Sequence, residues 1–188
     1  LSDGKPVMSP TQDMVMGSYY LTIIRKKIGE KYNEKGRKDE NGTVYGVPEY
    51  TVSYTCPEEA IMAYQTGKIG LQDEIIVRRS MEIDGEVVSG KVKTSVGKII
   101  FNEAIPQDLG FVKRETKEDQ LKYEIDKLVG KKDLQKIVGA CFKRHGASSA
   151  ADVLDKIKAL GFKYSTVGAI TTSVFDMHMP KDKAVILK

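Results

Sequence analysis

Between Asp13 and Thr22 the apolar residues Met14, Val15, Tyr19 and Leu21 fit the spacing of a short helix only loosely. Thr11 or Asp13 stands where a side chain would cap it, accepting a hydrogen bond from a free backbone N–H of the first turn. Periodicity is then lost over residues 25–50, and Asn41-Gly42 marks a turn within what reads as an extended surface excursion. The stretch CPEEAIMAYQTG, residues 56–67, carries the signals of a helix. Pro57 suits the first helical position, Glu58 and Glu59 complement the positive end of the dipole, and Gly67 stops it. Residues 73–102, DEIIVRRSMEIDGEVVSGKVKTSVGKIIFN, are rich in β-branched side chains and offer Asp84-Gly85 as a tight hairpin turn. This pattern predicts two or three antiparallel strands, after which EAIPQDLGF, residues 103–111, leads out through a loop.

The last third reads as helical. Within residues 131–146, Leu134, Ile137, Val138, Cys141 and Phe142 recur on one face, and Gly146 ends the segment. In SAADVLDKIKALG, residues 149–161, Ser149 and Asp152 form a candidate capping box. Val153, Leu154, Ile157 and Leu160 form the apolar stripe there, and Gly161 supplies a left-handed exit. The expected class is therefore α+β, with short N-terminal helices and antiparallel strands followed by a C-terminal helical part. One domain is expected over residues 1–188, with a mixed α/β part over 1–112 and a mainly helical part over 113–188.

Composition changes this picture little. Forty per cent hydrophobic and 30% charged residues are ordinary for a soluble globular chain. No run approaches the roughly 20 apolar residues of a membrane span, and no basic-then-apolar leader with a small-residue cleavage site is visible. Cys56 and Cys141 lack paired spacing, so neither zinc nor a disulfide framework is expected, and a reducing cytoplasm suits them. The net charge of +4 is mild. Lys and Arg gather in residues 25–42, but Glu30, Glu34, Asp39 and Glu40 interleave with them, as on a solvated loop.

Self-contained catalysis leaves almost no trace. Gly67-Lys68 and Gly130-Lys131 lack the earlier glycine and the hydroxyl of a phosphate loop. His145 and His178 have no companion at metal-ligand spacing. His145, in a last helical turn, suits the dipole there, and Cys141 on the apolar stripe reads as a small core residue. Asp13 and Asp176 are single acids in separate segments, and no Asp-x-Asp-x-Asp cluster able to grip magnesium occurs. The residues by themselves mark no catalytic side chain and no metal ligand.

Five blocks, taken in order, resemble one family. They are DGKPVMSPTQDMVMGSYYLT (3–22), PEEAIMAYQTGKIGL (57–71), TSVGKIIFNEAIP (94–106), LVGKKDLQKIV (128–138) and VLDKIKALGFKYSTVGAITTSVFDMHMP (153–180). Together they are similar to the largest, β′, subunit of bacterial DNA-dependent RNA polymerase, in the section after its aspartate-rich magnesium loop, often called the pore domain. The resemblance implies that the chain, which opens on Leu1, starts in mid-subunit. It implies a wall of the secondary channel, through which nucleoside triphosphates enter, into which the RNA 3′ end backtracks, and which admits cleavage factors. It also implies the remaining β′, β, α and ω subunits as partners, with DNA bound by the parent complex. Magnesium would serve the parent enzyme's two-metal nucleotidyl transfer, with no cofactor in this segment and no activity of the segment alone.

One site residue carries over on the motif PTQD: Gln12 matches a position where relatives place Gln or Arg near the incoming triphosphate. An amide donates two hydrogen bonds to phosphate oxygens without tight retention. The competing reading of Gln12 is a bond to a neighbouring loop or a helix cap, and Asp13 reads as an organiser of backbone. Residues 25–54 look like an insertion relative to many members of the family. Val167 stands where some relatives have a basic residue, and Lys98 where the family has Arg, which keeps the charge but loses the planar fork. Lys98 and the apolar face of Leu154, Ile157 and Phe162 read as structural. The alternative is a free-standing, non-enzymatic module contacting RNA or a protein partner, favoured by the 25–42 loop and the mild positive charge.

Overall fold

A computed structural model describes residues 8–25, 53–83 and 85–177. Helix α1 spans Asp13–Thr22, strand β1 Ser53–Tyr54, helix α2 Pro57–Gln65, strand β2 Glu74–Ile83 and strand β3 Glu86–Ser95. Helix α3 covers Val96–Glu103 and the long α4 Lys131–Val167, with short 3-10 turns at Asp119–Leu121 and Val174–Asp176. The sheet has the order β1-β2-β3; β1 runs parallel to β2, and β2 pairs antiparallel with β3 from Glu74↔Ser95 to Ile83↔Glu86. The architecture is α+β.

Helix α2 forms where local chemistry asks for it, with Pro57 at its first position and Gly67 just beyond it at φ 73°. The hairpin also lies where expected; Gly85 takes φ 80°, while Asp84 falls outside the described residues. So do His178, the Asn41-Gly42 turn and the basic stretch beyond Arg25. Of the 25–54 excursion, Ser53 and Tyr54 are described as a strand rather than a loop.

Several expectations need correction. Residues 96–102 are helical, not extended. The Ser95 hydroxyl accepts from the Lys98 N–H at 3.3 Å, and that cap, with burial of Val96, Ile99 and Phe101, overrides their strand preference. Neither Thr11 nor Asp13 caps α1: the N-cap is Gln12, it makes no side-chain capping bond, and the carbonyl of Thr11 instead accepts from the Met14 N–H. The two predicted C-terminal helices do form, and Gly146 (φ 82°, ψ −174°) ends the first of them within α4 as expected, with helical backbone resuming directly after it. Gly161 does not end the second of them, which runs on to Val167. Phe142 and Phe162 are half exposed, so the stripes are narrower than predicted and rest on Leu134, Ile137, Cys141, Val153 and Ile157.

The core gathers Leu21 from α1, Ile75 from β2, Ile99 and Phe101 from α3, and Leu134 and Ile157 from α4, while α2 adds Ala60 and Ala63. α1 lies between α3 and α4, and small residues let the backbones meet. A Cβ on Gly17 would stand 1.9 Å from the Gly161 carbonyl oxygen, and one on Gly97 would stand 2.0 Å from the Leu21 carbonyl oxygen. These glycines are required by close approach rather than by a turn.

Candidate functional site

Gln12 sits at the point where extended backbone becomes α1. Its φ of 46° is a left-handed value that costs a side-chain-bearing residue of order 1–3 kcal/mol. The carbonyl of Gln12 accepts from the N–H groups of Val15 (2.9 Å) and Met16 (3.0 Å), so the backbone there is tied into the first turn. The side chain is exposed and, among the described residues, makes no capping hydrogen bond. Two residues on, the Cα of Met14 lies 2.5 Å from where a Cβ on Gly161 would be, so α4 backs this turn directly.

The rest of α1 is fixed by polar bonds as well as by packing. Ser18 and Thr22, both buried, donate back to the carbonyls of Met14 (2.8 Å) and Ser18 (2.9 Å). The Thr22 hydroxyl accepts from the Val129 N–H at 3.0 Å, and Gln72 donates to the Tyr20 carbonyl at 2.7 Å. A second polar clamp holds the segment leading to α4. The Asn102 amide donates to the Ile125 carbonyl (2.7 Å) and accepts from the Ile125 N–H (3.0 Å). Gln107 accepts from the Glu124 N–H at 3.1 Å. The fully buried Glu124 carboxylate pairs with Arg114 at 3.1 Å and also accepts from the Phe111 N–H. A buried carboxylate persists because it is both paired and hydrogen-bonded.

The other residues singled out from sequence take structural places. Lys98 is buried along its stem, and its ammonium reaches the Asp126 carboxylate at 2.8 Å. His145 Nε2 lies 2.8 Å from Asp108 Oδ1 at the end of the first half of α4. Cys141 is a buried free thiol whose pKa burial pushes up, and Cys56 is a partly exposed one. Asp176 accepts from the Ser173 N–H at 2.8 Å, within its own short turn. Asp13 is exposed. Val167 is also exposed, but it adjoins Gly168, which packs on the Tyr20 ring at the far end of α1. The structure therefore does not bring Gln12 and Val167 together. Among the described residues, no three His, Cys, Asp or Glu side chains are placed to hold a metal ion.

Sequence reasoning missed a cleft of about 290 Å³ between the hairpin, the loop after α3 and α4, whose walls include Arg79, Arg114 and Arg144. No spacing rule joins residues so far apart in the chain. The only local hint was the basic pair Arg78-Arg79 in a strand that otherwise reads as half buried.

The model of the family described as RNA polymerase Rpb1, domain 3, matches residues 1–177. The DNA-directed RNA polymerase subunit beta' of Clostridium novyi (strain NT) is 48% identical over 186 residues, 99% of this chain and 14% of that protein. The subunits of the same name from Caldicellulosiruptor saccharolyticus and Caldanaerobacter subterraneus subsp. tengcongensis are each 50% identical over 186 residues, with the same coverage. The chain thus spans about 14% of the length of these curated relatives. No helix among the described residues is long and apolar enough to cross a membrane.

Proposed function

The chain belongs to the RNA polymerase Rpb1 domain 3 family, and from that membership we propose that it walls the channel by which nucleoside triphosphates reach the catalytic centre of a DNA-directed RNA polymerase. The observation that carries this reading is Gln12: an exposed amide on strained backbone, with no capping bond, at the start of a helix that is immobilised on two sides. Strain of this kind persists where the surroundings over-determine the conformation, and it marks functional sites. An amide donates to phosphate oxygens without a full charge, and the positive end of α1 adds to the attraction. The exposed carboxylate of Asp13 opposes it. The balance is weak, transient contact, which suits a passage rather than a store.

On this reading the 3′ hydroxyl attack on the α-phosphate, and the magnesium that supports it, belong to other parts of the parent subunit, and the 188-residue chain alone is inert. The remaining β′, β, α and ω subunits, the backtracked RNA 3′ end, cleavage factors and DNA are its partners through that complex. The loop on which the free-standing RNA- or protein-binding module relied lies, beyond Arg25, outside the described residues.

The test places Gln12→Ala and Gln12→Gly in reconstituted polymerase. Loss of a hydrogen bond to a charged oxygen is worth about 1.5–3 kcal/mol, so apparent nucleotide KM should rise about tenfold or more with kcat unchanged. Gln12→Gly should do so while raising the melting temperature of the chain, because glycine relieves the left-handed strain. An unchanged KM for all four nucleotides removes Gln12 from nucleotide entry.

A further inference from the structure

The cleft between the hairpin and α4 is separate from Gln12, and its charge is unbalanced. Three guanidiniums line it against a single carboxylate, Asp108, whose oxygen is already engaged by His145 at 2.8 Å. What matters is how each arginine is held. Arg114 is neutralised by the buried Glu124 at 3.1 Å. Arg79 donates to the Leu121 carbonyl at 2.5 Å and lies over the Tyr123 ring, 4.1 Å from its centre. Arg144 donates to the Asp108 carbonyl, and Gly110, at φ 87°, leaves it room: a Cβ there would stand 2.9 Å from the Arg144 Nη2. Two of the three cations are thus oriented by neutral partners, and no carboxylate pairs with either among the described residues.

We propose that this cleft binds a small phosphate-bearing anion, held by Arg79 and Arg144. The guanidinium fork matches two oxygens of a tetrahedral oxyanion, and forks pinned in advance lose little entropy on binding. Gln107 and Gln120 also line the wall. The volume of about 290 Å³ lies at the lower end of small-molecule sites, which suits a phosphate or pyrophosphate group rather than a whole cofactor. The electrostatics agree, since burial pulls the Arg79 pKa below its usual range, Tyr123 opposes this, and the like charge of Arg114 adds to it, a repulsion that an incoming anion offsets.

Calorimetric titration of pyrophosphate into the folded chain at low ionic strength tests this, with Arg144→Gln and Arg79→Gln alongside and a thermal melt of each. Saturable binding is expected, weakened about tenfold by each substitution and by added salt, with the Arg144→Gln melt unchanged because that side chain is exposed. If no saturable binding is found, or if Arg144→Gln binds pyrophosphate as tightly as the parent chain, the proposal is overturned, whatever Arg79→Gln does.

Discussion

Replacing Gly17 with Ala puts a methyl carbon 1.9 Å from the carbonyl oxygen of Gly161 and 2.6 Å from its carbonyl carbon. Non-bonded carbons rest at about 3.5–4.0 Å, so the two backbones must part by roughly 1.5 Å. α1 cannot slide freely to accommodate this, because its other side already meets α3 at Gly97, where a Cβ would lie 2.0 Å from the Leu21 oxygen. Overpacking a core costs about 1–3 kcal/mol, and a collision with backbone belongs at the upper end of that range. Alanine returns about 1 kcal/mol through helix propensity, leaving a net loss of about 2 kcal/mol. For a chain of this size the loss lowers the melting temperature by about 4–8 °C. Gly139, also within a helix, has nothing within 4 Å of its would-be Cβ, so Gly139→Ala should keep the propensity gain and raise the melt by about 2–4 °C. One chemical change therefore has opposite signs at two helical glycines, and circular dichroism melts of both variants measure it. A Gly17→Ala chain that melts at or above the parent would refute the backbone-contact argument, as would a Gly139→Ala chain that falls equally far.

Three other outcomes follow from the polar groups. Asn102→Ala leaves the Ile125 N–H and carbonyl without their partner in a buried site, so the urea midpoint should fall by an amount equivalent to about 1–3 kcal/mol for each group. Asp119 is held at about 2 rather than 3.8 by hydrogen bonds from Lys122 and Thr116. Its folded value is depressed, so its contribution to stability is present above pH 3.8 and lost as the pH falls through about 2; Asp119→Asn should flatten stability across that interval, read from melts at stepped pH. Thiol labelling of the native chain should proceed at the partly exposed Cys56 and reach the buried Cys141 only on unfolding, as peptide mapping would show.

What could be read in advance was whatever is locally encoded. Pro57 and Gly67 punctuate α2 through their own backbones and Glu58 and Glu59 through charge in its first turn, and the hairpin follows from alternation around a turn dipeptide. The errors lie where distant partners decide. Val96, Ile99 and Ile100 count as strand formers, but Ser95 caps them into a helix that buries Val96 and Ile99 on either side of Gly97. Gly161 satisfies the local rule for a helix stop, yet its partner is Met14, from the opposite end of the chain. Phe142 and Phe162 extend an apolar stripe on paper, while in space the neighbours end before reaching them. Gln12 could be singled out only through the family resemblance, because nothing in PTQD announces a φ of 46°. The arginine cleft had no linear signature beyond the Arg78-Arg79 pair.

These misreadings bear on function because the same glycines that defeat a local rule also position Gln12. α1 has too small an apolar stripe to fix itself, and its buried residues include Gly17, Ser18 and Thr22 beside Leu21. What holds it is backbone contact with α4 and α3, together with the hydrogen bonds accepted by the Thr22 hydroxyl and the Tyr20 carbonyl. Direct backbone contact tolerates less displacement than a side-chain interface, since no rotamer can yield. A helix held in this way can impose left-handed backbone on the residue ahead of it, and a residue so imposed has the direction of its Cα–Cβ bond fixed. On the proposed reading, the Gln12 amide is placed in the passage by the contacts that Gly161 makes with Met14 and Gly17, rather than by a capping bond of its own.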